Sequence, residues 1–181
     1  MNATIECRQG DIARQDDIDT VVNAANAQLR SGGGVAGALH RAAGPALAEA
    51  GRPLAPIKPG QAVLTDAFDL PNRHVIHCLG PVYGVDEPSD ELLAACYRNA
   101  LQLAERHGIE SLAFPALSTG AFGYPAAEAA RVALSTVLDT LPDCPGIRRV
   151  RFVLFDATSA ELYQRTLAEL QGEEGAQEGK E

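Results

Sequence analysis

No stretch of this chain approaches the ~20 apolar residues that a membrane-spanning helix needs. The opening MNATIECRQGD carries no basic-then-apolar leader, so secretion is not expected. No two of Cys7, Cys78, Cys96 and Cys144 stand at CxxC or metal-ligand spacing. Four scattered cysteines read as reduced, mostly buried thiols of a cytoplasmic protein, with no metal site. Positive charge is also scarce. The formal net charge is −9, and the last ten residues, GEEGAQEGKE, contribute four acids and one lysine, or −3, which leaves −6 for the rest. That balance excludes a broad basic footprint for duplex nucleic acid. It leaves room for one small anionic ligand held by backbone N–H groups.

What is present is an ordinary globular composition, with 46% apolar and 22% charged residues in a chain of 181. That length suits one domain with a real core. Residues 1–171 are expected to form it, without internal repeat or linker, and 172–181 to be an acidic, disordered tail.

Strand-like and helix-like segments alternate. TIECRQ, DTVVNAA, QAVLTDAFDL, HVIHCLG, IESLAFPAL and RRVRFVLFD read as strands. GVAGALHRAAGPALAEAG reads as a helix that Gly44-Pro45 kinks or breaks. A further helix runs from Ser89 to Gly108, and another has Pro125 at its first position. Thr158 and Glu161 form a capping-box pattern for a last helix over 159–171. This order predicts an α/β sandwich with helices on both faces of a mostly parallel sheet. Ligands bind at the carboxyl ends of such strands. Three polar or glycine-rich loops fall there: Gly10-Asp11-Ile12, Asn26 to Gly34, and STGAFGY at 118–124.

Gly32, Gly34 and Gly37 satisfy GxGxxG to the letter. The first glycine, however, does not follow its strand directly, and RPLAPI at 52–57 offers no acid for a ribose. A GxxxxGK[ST] loop is absent. The general physics remains: glycines ahead of a helix let amides approach an anion, and the helix amino end favours negative charge. The loop at 118–123 repeats that logic after another strand, so two small-residue loops can grip a diphosphate from both sides. The plainer reading is that both are tight turns. His74 and His77 lie three apart on a strand, so they point to opposite faces and cannot chelate one metal together.

GDI, VVNAAN, GGGVAGALHRAAGP, HVIHCLGP, CYRNAL, FPALSTGAFGYP and VLFD, in that order over about residues 4 to 170, resemble the macro domain family, nearest its MacroD-like branch. The resemblance implies a three-layer α/β/α fold around a six-stranded mixed, mostly parallel sheet that binds ADP-ribose at the strand ends. By matching position it implies that Asp11 accepts from the adenine amino group and that the Ile12 amide serves the base. Asp11 as a cap of the following turn is the alternative. The resemblance implies that Asn26 bonds the distal ribose and that Asn23 fixes the loop backbone. Gly32, Gly33, Gly34 and Val35 would line the diphosphate and distal ribose from one side, and Ser118, Thr119, Gly120, Ala121 and Phe122 would close from the other. Phe122 either presses on the distal ribose or belongs to the core. Phe155 either flanks the adenine or belongs to the sheet core. Tyr124 borders the distal ribose or packs against Pro125.

In the MacroD-like branch the glycine motif ordinarily continues with an aspartate that handles a water beside the distal ribose; this sequence has Ala36 there. The resemblance therefore leaves two readings. One is a hydrolase of ADP-ribosyl esters, on acidic side chains or O-acetyl-ADP-ribose, with a substrate phosphate positioning the water while Asn26 and Phe122 hold the ribose. The other is a non-catalytic reader of ADP-ribose. A nicotinamide dinucleotide or another nucleotide as ligand is the third reading. A monomer in the cytoplasm, acting without cofactor, metal or membrane, is the expectation.

Overall fold

The computed structural model describes residues 3–178, and the side chains of 3–172. Six strands, β1 (Thr4–Gln9), β2 (Thr20–Ala24), β3 (Ala62–Asp66), β4 (His74–Cys78), β5 (Ser111–Phe114) and β6 (Arg149–Leu154), form one sheet in the order β1-β6-β5-β2-β4-β3. β3 runs antiparallel to β4, and the other neighbours are parallel. The helices are α1 (Gly34–Ala43), α2 (Ala46–Gly51), α3 (Ser89–Arg106), α4 (Ala126–Thr140) and α5 (Ala157–Glu178).

Side chains alternate across a strand, so a strand covered on both faces reads as a continuous apolar run. The central strands obey this. Val22, Ile76, Phe114 and Phe152 enter one core with Leu93 and Tyr97 of α3, Leu134 of α4 and Tyr163 of α5. Their chain neighbours Val21, Val75, Ala113 and Val153 enter a second core with Leu39 of α1 and Leu47 of α2. The result is the three-layer α/β/α sandwich expected from the element order.

The break between α1 and α2 sits where Gly44-Pro45 placed it. Gly44 has φ of 88° and donates its N–H to the His40 carbonyl at 3.0 Å, and Pro45 precedes α2. Three boundaries differ from the sequence reading. Pro125 is the residue before α4, with an extended ψ of 131°, rather than its first helical residue. α5 starts at Ala157, and its cap is Asp156, whose Oδ1 accepts from the Ser159 N–H at 2.8 Å. An aspartate three residues ahead of an unsatisfied amide fills the role given to Thr158 and Glu161. α5 also extends to Glu178, where an irregular tail was expected from 172. Glu, Ala and Gln are good helix formers that let the preceding turns propagate. Residues 179–181 of that tail lie outside the described residues.

Candidate functional site

β2 connects through α1 toward β4 and β3 on one side, whereas its other neighbour is β5. The chain order reverses between β2 and β5, and loops leaving adjacent strand ends in opposite directions open a crevice. A cleft of about 590 Å³ lies there. Its walls are the β2 exit (Ala24, Ala25, Asn26), the glycine loop with the start of α1 (Gly32 to Ala36), and residues 115–122 after β5. The end of β6, from Val153 to Asp156, closes the remaining side.

The first wall exists because of two glycines. Gly34 sits at φ of 55°, where a side chain is strained. A Cβ on Gly37 would collide with the Gly32 carbonyl oxygen, so glycine at 37 lets the loop fold down on its own helix. The first backbone bond of α1 here runs from the Gly37 N–H to the Gly33 carbonyl, 3.2 Å. The amides of Gly34, Val35 and Ala36 precede it and have no acceptor within the helix. No acidic residue occupies the first turn. That end of α1 is an unneutralised positive pole.

In the second wall, Tyr124 N–H to Ser118 carbonyl (2.9 Å) and Gly123 N–H to Gly120 carbonyl (3.0 Å) close the loop. Thr119, Gly120, Ala121 and Phe122 lie between those closures and all face the cleft. Ser118 adopts φ of 66°, and its buried Oγ has no hydrogen-bond partner among the described residues. Phe122 lines the cleft and also packs on the small cluster of Ala25, Leu29, Ile57 and Leu79. Its carbonyl accepts from the Tyr83 N–H at 2.9 Å, which holds the loop in place.

Asn26 lines the cleft with its side chain partly committed. Oδ1 accepts from the Arg30 N–H (3.0 Å) and Nδ2 donates to the Arg30 carbonyl (2.8 Å). Each group keeps one further valence for a ligand. Phe155 is 92% exposed, which removes the sheet-core alternative and leaves a bare aromatic face at the rim. Asp11 and Ile12 are not among the residues walling the cleft. They sit beside it, because the Gly10 N–H bonds the Leu154 carbonyl at 3.0 Å and ties the end of β1 to that of β6. The Asp11 Oδ1 caps the turn through the Ala13 N–H at 2.9 Å, while the Ile12 side chain is buried in the second core.

One reading is corrected, for Asn23, and one of the two alternatives for Tyr124 is set aside. Asn23 does not hold the loop backbone: it is fully buried, and its Nδ2 meets His77 Nδ1 at 3.1 Å. Tyr124 lies outside the cleft, edge-on to Tyr83 with centroids 4.8 Å apart, beside a wider groove of about 660 Å³ between α3 and α4. The sequence reading missed Gly80, Asp156 and Ser159, which also line the cleft. A pattern of loop glycines pointed to none of them, although Asp156 directly follows Phe155. Among the described residues walling the cleft, Asp156 is the one charged side chain. The Ser159 amide and hydroxyl hold its carboxyl below the usual value. An anion in the cleft must therefore be held by the backbone, with Asp156 at the far, β6 end.

The Macro domain family profile matches residues 22–133. An O-acetyl-ADP-ribose deacetylase of Cronobacter sakazakii is 47% identical, over 97% of this chain and 100% of that protein. A point mutant of the Oceanobacillus iheyensis macrodomain, solved with ADPR, superposes with a TM-score of 0.90 at 38% identity, over 94% of this chain and 95% of the other. The Trypanosoma brucei macrodomain in complex with ADP-ribose does so at 0.81 and 33%, over 91% of this chain and 68% of the other. With its sheet order, its cleft between β2 and β5 and these relatives agreeing, the chain belongs to the macro domain family.

Proposed function

We propose that this chain binds ADP-ribose in the β2/β5 cleft and hydrolyses ADP-ribosyl esters, O-acetyl-ADP-ribose and mono-ADP-ribosylated acidic side chains among them. The observation that carries this reading is the pair of side-chain-poor loops, 32–35 and 118–122, facing each other across one cleft. Such loops suit a diphosphate, and the α1 amino end adds favourable dipole. The relatives named O-acetyl-ADP-ribose deacetylase support the activity.

In this reading the exposed Phe155 ring takes the adenine face, with Asp11 accepting from its amino group. Asn26 and Phe122 hold the distal ribose. Ala36 offers neither proton nor water ligand, so a phosphate oxygen of the substrate orients the water. For O-acetyl-ADP-ribose, the water oxygen bonds to the acetyl carbonyl carbon and the bond from that carbon to the ribose oxygen breaks. The ribose oxygen gains a proton and acetate leaves. Amides of the two loops stabilise the negative charge that develops, and fixed positioning supplies the rest. The protein acts as a monomer in the cytoplasm, needing no metal or cofactor.

Ala36 favours one second reading, a module that binds ADP-ribose without turnover. Incubation with O-acetyl-ADP-ribose and with protein carrying ADP-ribosylated glutamate separates the two. Release of acetate and of ADP-ribose above buffer is the expected result. Binding with no release leaves the reader, and no binding at millimolar ADP-ribose removes both.

A further inference from the structure

Arg151 is a cation only 1% exposed, on β6 two residues before the cleft wall at Val153. A buried charge costs several kcal/mol unless it is paired and hydrogen-bonded. Here Nε donates to Glu6 Oε2 at 2.8 Å, and Nη2 and Nη1 donate to the two Asp17 oxygens at 2.7 and 2.8 Å. Both carboxylates also pair with Arg149, at 2.8 Å to Glu6 Oε1 and 3.3 Å to Asp17 Oδ2. Arg151 Nη1 makes one more bond, 2.8 Å to Gln15 Oε1.

That extra bond has a direction. A guanidinium only donates, so it fixes which end of the Gln15 amide faces it. Nε2 is thereby aimed the other way, and it donates to the Asp11 carbonyl at 2.7 Å. Gln15 is itself buried, and Asn72 Nδ2 bonds the backbone carbonyls of Gln15 and Ile18 at 2.7 Å each. The Asp11 turn is thus held at three points: its carbonyl by Gln15 and by the Arg14 N–H (3.0 Å), and its Oδ1 by the Ala13 N–H. Oδ2 remains on the exposed side, with Arg14 Nε 3.7 Å away.

We propose that Arg151 and Gln15 are positioning residues for base recognition, relaying orientation through Gln15 to the Asp11 turn so that its exposed Oδ2 meets a 6-amino purine. This rests on the role given to Asp11 above. Glu6 and Asp17 take three of the five N–H donors of Arg151 and Gln15 takes a fourth, and that fourth acceptor is the one whose other end holds the turn of the residue assigned to the base.

The test compares ADP-ribose with its hypoxanthine analogue, inosine diphosphate ribose, whose base presents a carbonyl in place of the amino group. Kd values for both are measured on the wild type, Gln15→Glu and Gln15→Met, with thermal midpoints on the same samples. Gln15→Glu keeps an acceptor for Arg151 but loses the donor to Asp11. Gln15→Met loses both. The wild type is expected to prefer ADP-ribose by about tenfold, the worth of one good hydrogen bond. Both variants, folded, lose most of that preference, as does Asp11→Ala. A preference unchanged in folded Gln15 variants overturns the relay. A wild type that binds both ligands equally overturns the Asp11 role and the relay with it, and one that binds neither removes the cleft reading itself.

Discussion

Gly37 and Gly32 meet with no room for a β-carbon between them, because a Cβ on Gly37 would overlap the Gly32 carbonyl oxygen. The Arg41 Nη1 lies 2.9 Å from the same point, so the space is closed from two sides. Gly37→Ala must displace the Gly32 backbone, which walls the cleft. Overpacking of this kind costs about 1–3 kcal/mol, and the displaced amides are those assigned to the diphosphate. Calorimetry with ADP-ribose should show affinity down by about tenfold or more. Gly172→Ala, on α5 and outside the cleft walls, whose Cβ meets nothing within 4 Å, should bind as the wild type does and serves as the control.

Phe155 offers a cleaner separation of binding from stability. At 92% exposure the ring contributes almost nothing to the core. Phe155→Ala should leave the thermal midpoint unchanged while weakening ADP-ribose by about 1–3 kcal/mol, the usual worth of a base stacked on an aromatic ring. Ribose 5-phosphate, which has no base, should bind the variant as it binds the wild type.

Ala36→Asp tests the chemistry. Ala36 is buried at the start of α1 and lines the cleft. A carboxylate there gains from the helix amino end and can order a water. Turnover of O-acetyl-ADP-ribose should rise at least about tenfold, toward the 10²–10⁴ that general acid–base help provides. An unchanged rate in steady-state assays would show that the alanine does not limit the reaction.

The buried polar row behind α1 predicts a pH signature. His77 Nδ1 takes a hydrogen bond from the Asn23 amide and Nε2 meets Thr65 Oγ1 at 2.9 Å, an arrangement that suits the neutral ring. Burial, and then the neighbouring His40, push its pKa down to about 4. Burial lowers His40 too. Both shifts are downward, so the unfolded chain binds these protons first as pH falls. Stability is full above the ordinary value of 6.5 and declines toward about 4. Urea titrations should show this as a slope of up to about 1.4 kcal/mol per pH unit per histidine, smaller in His77→Gln. A second loss follows at lower pH. Hydrogen bonds from Arg151 hold Asp17 below its usual range, and Arg151 with Arg149 overcomes burial to do the same for Glu6.

The parts of this molecule legible in sequence are those where local chemistry and tertiary context agree. Val21-Val22 and Phe152-Val153 announce strands covered on both faces, and Gly44-Pro45 announces the break between two helices. The glycine loops were legible as side-chain-poor segments, and the fold sets them across one cleft. Asn23 was not, because its partner His77 is 54 residues away and becomes a neighbour only through β2–β4 pairing. The Arg151–Gln15 bond spans 136 residues and has the same origin. Asp156 hid for another reason: Thr158 and Glu161 mimic a cap in sequence, and only the true start of α5 decides between them.

The walls assigned to the anion are main chain, and the attraction they exert is that of fixed dipoles acting at contact distance. This explains how a protein of net charge −9 can hold a second acidic body without a basic patch to draw it in. It also means there are no lysine or arginine charges in those walls for dissolved ions to shield. Raising the ionic strength should loosen the ligand far less than it would in a site built on cationic side chains, and association should proceed without long-range guidance.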